Sequence, residues 1–223
     1  MSKIDHYGYF ELLKSTDDPV LPFLEKVTGD GYVHFNPAHQ VAFLERLDSK
    51  HWTLIAGRFN AADQGVREVL NGCKLFTIVQ NPIERFYASY QEARTVRTHP
   101  LYEKYSNMSA VEAAQYCIDE GLDYGRNSQC SALTAGAQST AAAALESWAD
   151  AFSFVACADK PIQLLNFLKQ EGVLPAKSRA KLKIKAPYIR KGDRDALRTA
   201  LEPAVAEDLQ LYEAVRTTGG FAN

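Results

Sequence analysis

The sequence predicts an α/β fold, a central parallel sheet flanked by helices, with a helical second half. Three observations carry this. Short apolar runs alternate with helix-period segments through the first half, the signature of βα units. The run Leu75 to Val79 is apolar and rich in β-branched residues, as a strand buried on both faces should be. Beyond Arg97 the alternation gives way to segments with helical caps and periodicity, interrupted by a single further strand.

Taken in order, the expected units are a strand at Tyr7 to Leu13 with a helix at Pro19 to Val27, then Gly31 to Phe35 with Pro37 to Leu47. Thr53 to Ala56 with Ala61 to Leu70 follows, and Leu75 to Val79 with Pro82 to Arg97. The last unit is the most explicit. Asn81, Pro82 and Glu84 are the N-cap, N1 and N3 signals of a helix start. Ile83, Phe86, Tyr87 and Tyr90 then fall on one apolar stripe, which leaves Pro82, Arg85 and Ser89 toward the space above the strand end. In the second half, Ser109 and Glu112 predict a capping box, Ala137 to Ala151 an alanine-rich helix, and Phe152 to Ala156 a buried strand. Ile162 to Gln170 reads as a helix that Gly172 can close. Asp193 caps a final helical pair that Pro203 interrupts, ending near Leu211 to Arg216. No repeat or linker divides the chain, so one domain over residues 1–223 is expected.

Composition narrows the function classes. Hydrophobic residues make up 46% and charged ones 23%, as in an ordinary globular protein, and the net charge of −2 does not suggest a nucleic-acid partner. No apolar run approaches the roughly 18–20 residues of a membrane span, and the start MSKIDHYGYF has no hydrophobic signal core. The expectation is a cytoplasmic protein without a membrane span, or a domain cut from a longer chain. Cys73, Cys117, Cys130 and Cys157 form no CxxC pair, so core thiols are expected, with no metal. Charge is concentrated in residues 177–194, KSRAKLKIKAPYIRKGDR, with eight basic residues and Lys181, Lys183 and Lys185 alternating with Leu182 and Ile184. Two readings stay open: an edge strand protected by lysines, or a face for an acidic partner such as a phosphate or an acidic glycan.

In a parallel sheet, ligands sit beyond the carboxyl ends of the strands. Four such ends are expected here, at Leu13 to Thr16, His34 to Asn36, Gly57 to Asn60 and Gln80 to Pro82, converging on one crevice. The fourth end, FTIVQNPIERFYASY, resembles the strand-helix signature of carbohydrate sulfotransferases of the heparan sulfate 2-O type, in which the strand ends in Arg-Asp-Pro and the helix continues to a serine. NSQCSALTAG (Asn127 to Gly136) is similar to the family's Asn-x-Gln-x-x-x-Leu-x-Gly segment. FSFVACADKPIQLLNFL is similar to its later strand-helix unit, and LYEAV (Leu211 to Val215) to its closing helix. The resemblance spans nearly the whole chain and is sharpest over residues 75–90. It implies a P-loop-like α/β fold that moves a sulfuryl group from 3′-phosphoadenosine 5′-phosphosulfate to a carbohydrate or other hydroxyl acceptor.

That implied chemistry makes three demands. The phosphosulfate needs a cation and backbone N–H groups after the first strand. Lys14, Ser15 and Thr16 match, while Asp17 and Asp18 stand near the family's glycines and Pro19 removes an N–H. The 3′-phosphate site of the family uses the arginine of Arg-Asp-Pro and a serine. Here the serine matches Ser89, Gln80 stands for the arginine and Asn81 for the aspartate. Arg190, Lys191 and Gly192 are similar to the start of an Arg-Lys-Gly loop that cytosolic sulfotransferases use on the same phosphate. The acceptor hydroxyl needs a general base, which the family places as a histidine after the third strand. Gly57 matches, but Arg58 occupies the histidine position and cannot take a proton, which leaves His34 as the candidate base. The resemblance thus implies Lys14, Arg58 and His34 as catalytic residues. It implies Lys14, Ser15, Thr16, Gln80, Ser89, Arg190, Lys191 and Gly192 for the nucleotide. The alternative is a protein that kept the fold without catalysis and binds an acidic glycan or protein partner.

Overall fold

A computed structural model of the chain describes residues 7–10, 32–35, 54–57, 74–134, 136–177 and 188–219, the first three segments as backbone. Five strands, β1 (Tyr7–Phe10), β2 (Tyr32–Phe35), β3 (Leu54–Gly57), β4 (Lys74–Val79) and β5 (Phe154–Cys157), form one sheet in the order β2-β3-β1-β4-β5. All four pairings are parallel. The five strands expected from the βα pattern and the Phe152 to Ala156 run are present, the last shifted to Phe154–Cys157, while the lysine-rich stretch Lys181 to Lys185 lies outside the described residues. β1 ends at Phe10 within the longer run to Leu13, whose last three residues lie outside the described residues. The order makes β1 and β4 neighbours although β2 and β3 lie between them in sequence. The chain therefore leaves β1 toward one edge and β4 toward the other, the topological switch at which α/β sheets open a crevice.

Burial explains why the inner strand reads as a continuous apolar run. Phe76, Thr77 and Val79 are fully buried and Ile78 nearly so, and all four residues of β5 are buried. Water reaches neither face, so no polar alternation is needed.

Helix α1 (Pro82–Thr95) starts as the sequence requires: Asn81 Oδ1 accepts from the N–H groups of Ile83 at 3.0 Å and Glu84 at 3.4 Å, with Pro82 at the first helical position. It ends at Thr95 rather than Arg97, because Val96 has already turned to extended backbone. The stripe Ile83, Phe86 and Tyr90 is buried, with Tyr87 packed at its border. It meets α3 (Ala110–Asp119), which follows the short α2 (Tyr102–Tyr105), and α7 (Lys191–Leu201), through Ala113, Ala114, Cys117, Leu197 and Leu201. Both halves of the expected capping box are made: Glu112 N–H donates to Ser109 Oγ, and Ser109 N–H to the Glu112 carboxylate.

After α3, the chain makes a 3-10 turn (Asp123–Gly125). A Cβ on Gly125 would stand 2.6 Å from the Cys117 carbonyl carbon and oxygen and 2.7 Å from Ile118 N. Backbone cannot swing aside as a flexible side chain can, so Gly125→Ala should cost about 2 kcal/mol, measured as a lower urea midpoint with unchanged slope.

Helix α4 (Ser128–Leu133) precedes α5 (Ala141–Ala151), and here the sequence reading needs correction. The alanine-rich helix starts four residues after Ala137, because Gly136 holds φ at +78° and the first helical N–H groups find caps further on. Ala141 N–H donates to Glu207 at 2.7 Å and Ala143 N–H to Thr140 Oγ1 at 3.3 Å. Helix α6 (Pro161–Gln170) closes as expected, with Gly172 at φ +76°. Asp193 is not the cap of α7: Arg190 occupies that position, and Asp193 lies in the first turn, where its carboxylate complements the helix dipole. Pro203 does separate α7 from α8 (Ala206–Thr218), which ends at Gly219 with φ +79°. Cys117, Cys130 and Cys157 are buried free thiols, as expected, whereas Cys73 lies outside the described residues.

Candidate functional site

The parallel register aligns the carboxyl ends of the described strands at one edge of the sheet. Phe10, Phe35 and Gly57 are aligned at the carboxyl ends of β1, β2 and β3, and Phe10 pairs with Thr77 of β4. His34 precedes Phe35 by one position, opposite Ala56. Lys14, Ser15 and Thr16 follow β1, and Arg58 follows Gly57 directly. All four lie outside the described residues, as do Asp17, Asp18 and Lys181 to Lys185.

Where β4 passes into α1 the geometry is fully described. Gln80 is 9% exposed, and its side-chain amide makes no hydrogen bond among the described residues. Its backbone is held by Gln129, a wholly buried residue of α4. Gln80 N–H donates to Gln129 Oε1 at 2.8 Å, and Gln129 Nε2 donates to Gln80 O at 2.9 Å. Gln129 is held in turn by Asp208 in the first turn of α8. The Asp208 carboxylate accepts from Gln129 N–H at 3.0 Å and Cys130 N–H at 2.8 Å, while Asp208 N–H donates to Asn127 Oδ1 at 3.0 Å. One buried chain of hydrogen bonds thus runs from the sheet edge through the start of α4 to α8. Burial pushes the Asp208 carboxyl above its ordinary value, and the two N–H donors and the nearby Arg85 charge oppose that rise.

Arg85, on the first turn of α1, is nearly buried at 7% exposure. It donates to Ser128 Oγ at 2.6 Å and stacks over the Tyr124 ring at 4.7 Å from its centre. On the other flank, Glu84 pairs with Arg194 of α7 at 3.2 Å. Burial raises the Glu84 carboxyl, Arg194 pulls it down, and Asp159 beyond β5 adds to the rise. Asp159 accepts from Tyr212 Oη at 3.1 Å. This ion pair brings the first turn of α7, with Arg190, Lys191 and Gly192 at its start, against the first turn of α1. Those three residues open a helix and are solvent-exposed. Ser89 is half-buried two turns along α1 and makes no side-chain hydrogen bond among the described residues.

The Asn81 cap occupies the N–H groups of Ile83 and Glu84, so a ligand at this helix start meets the Gln80 amide and neighbouring side chains rather than those two donors. Asn81→Ala should therefore lower stability by about 1 kcal/mol, seen as a small drop in thermal midpoint. Burial, helped by Asp159, pushes the Cys157 thiol up to about 12, which disfavours its thiolate. Among the described residues no group of three or more His, Cys, Asp or Glu side chains could hold a metal ion, and no helix is long and apolar enough to cross a membrane.

Sequence reasoning singled out Gln80, Asn81, Arg85 and Ser89, and gave no part to Gln129, which holds the Gln80 backbone, or to Asp208, which holds Gln129. Asn127 and Gln129 carry a signal, since both belong to the NSQCSALTAG segment, and the structure gives them an architectural task. Asp208 has no local signal, because its partners are 78 and 79 positions away. Compared with protein-family models and with curated proteins, the chain matches none.

Proposed function

We propose that the chain is a sulfotransferase-like protein of P-loop type that binds 3′-phosphoadenosine 5′-phosphosulfate at the carboxyl edge of the sheet and transfers its sulfuryl group to a carbohydrate hydroxyl. The observation that supports this reading is the strand order, which makes β1, the strand that precedes the Lys14 segment in sequence, the parallel neighbour of β4, the strand that runs into the Gln80 to Pro82 junction. Lys14 stabilises charge on the leaving phosphate, with Ser15 and Thr16 as hydroxyl donors. Ser89 and Gln80 hold the 3′-phosphate, with Arg190, Lys191 and Gly192 near the same helix start. His34 takes the proton of the acceptor hydroxyl as the new S–O bond forms and the S–O bond to the phosphate breaks. Arg58 holds an anionic acceptor or the developing charge.

Titration with 3′-phosphoadenosine 5′-phosphate by calorimetry tests this reading. Saturable binding that weakens about 10–100-fold in both Lys14→Ala and Ser89→Ala is the expected result, since hydrogen bonds to charged groups contribute about 1.5–3 kcal/mol each. No binding by the wild-type chain, or unchanged binding in Lys14→Ala, would overturn it. A second reading is favoured by Asp17 and Asp18 near the phosphate segment and by neutral Gln80 at the arginine position. In that reading the fold is retained without turnover, and the basic stretch 177–194 binds an acidic glycan or protein. Affinity for a sulfated glycan would then fall steeply with added salt.

A further inference from the structure

We infer that Gln129 is a positioning residue of the nucleotide site, an inference that rests on the donor-binding reading above. Gln80 itself offers a ligand only its side-chain amide, because both of its backbone polar groups are taken by Gln129, at 2.8 and 2.9 Å. A single planar amide bonded to both the N–H and the C=O of one residue fixes the orientation of the two peptide planes that flank it. Those planes set the direction of the Gln80 side chain and the entry angle of α1, and hence the place of Ser89 along it. The clamp is itself immobilised. Gln129 is wholly buried, and its own N–H is held by Asp208, which is also wholly buried. Arg85, next on α1, is fastened to the neighbouring Ser128 at 2.6 Å, so the strand end and the first helical turn are gripped by consecutive residues of α4. Two contacts to consecutive residues resist rotation of α1 about the strand end, which one contact alone would allow. Gln129 touches no ligand in this scheme and acts only through Gln80.

The test compares 3′-phosphoadenosine 5′-phosphate affinity in the wild-type chain, Gln129→Met, Gln129→Glu and the control Gly125→Ala, each at a temperature where circular dichroism shows it folded. Gln129→Met removes both bonds at similar volume, whereas Gln129→Glu keeps an acceptor for the Gln80 N–H. Gly125→Ala strains the turn that carries Tyr124 beside Arg85 but leaves both Gln129 bonds to Gln80 in place, and so reports what disturbance outside those two bonds does. The expected result is at least ten-fold weaker binding in Gln129→Met, a smaller loss in Gln129→Glu, and wild-type affinity in Gly125→Ala. Amide exchange at Ile83 and Glu84 should rise only in the Gln129 variants. Wild-type affinity in a folded Gln129 variant, or equal losses in the control, would overturn the inference while leaving the donor reading intact. Should Gln129→Met fail to fold, the same comparison stands on Gln129→Glu. A wild-type chain that binds no nucleotide removes the donor reading, and with it the site that Gln129 is held to position.

Discussion

Replacing Asp208 by alanine should lower the stability of the fold by about 4 kcal/mol, the largest loss expected from any single polar residue described here. The reason lies in what stays behind. The N–H groups of Gln129 and Cys130 both point at the Asp208 carboxylate, and both residues are sealed from water. Without the carboxylate, two buried donors lose their acceptor at the start of α4, and only the bond from the backbone N–H of position 208 to Asn127 Oδ1 remains. Asp208→Asn should cost less, because its amide oxygen still accepts from one N–H while its NH2 faces the other. The pair also separates charge from shape through pH. Burial raises the Asp208 carboxyl above the ordinary 3.8, so between that value and its folded value the native state holds more protons than the unfolded chain. The associated stability is fully present below 3.8 and is lost as pH rises through the folded value. The advantage of wild type over Asp208→Asn should therefore narrow with rising pH, in denaturant titrations run at several pH values. An advantage that widened with pH would mean that the two N–H donors and Arg85 outweigh burial.

How much of this was legible in the sequence depends on how far each interaction reaches along the chain. The strands were legible because β4 and β5 are sealed on both faces and so carry unbroken apolar runs. The start of α1 was legible because its cap and its recipients are neighbours in sequence: Asn81 with Ile83 and Glu84. The alanine-rich helix was misplaced for the converse reason. Alanine has high helix propensity throughout Ala137 to Ala151, but the start is decided by Glu207, 66 residues away, and by the left-handed Gly136. The same distinction divides the candidate site. Gln80 and Ser89 could be found from a local pattern, whereas the Gln129 and Asp208 clamp spans three elements and emerges only when α4 and α8 are seen beside the end of β4.

Phe167→Ala should produce a loss of comparable size, about 3–5 kcal/mol, by a different route. Phe76 on β4 and Phe154 on β5 are register partners, and the Phe167 ring of α6 packs against both, at 5.6 Å from Phe76 and stacked at 4.6 Å on Phe154. All three are buried, and Leu164 and Leu168 of the same helix are fully so, which leaves no water-accessible route to fill the space. The aromatic ring can be removed but its surroundings cannot collapse far, because two strands and a helix share the same wall. The cost therefore combines lost transfer energy with a retained cavity. Phe167→Leu should recover more than half of it. This core joins β4 to the edge strand, whereas the Gln129 clamp acts at the carboxyl end of β4, so the two losses should add within about 0.5 kcal/mol in a Phe167→Ala, Gln129→Met double variant. A large deviation from additivity, read from urea midpoints, would show that sheet packing and the helix start move as one unit. Binding at the strand end would then depend on the core beneath it as well as on the clamp.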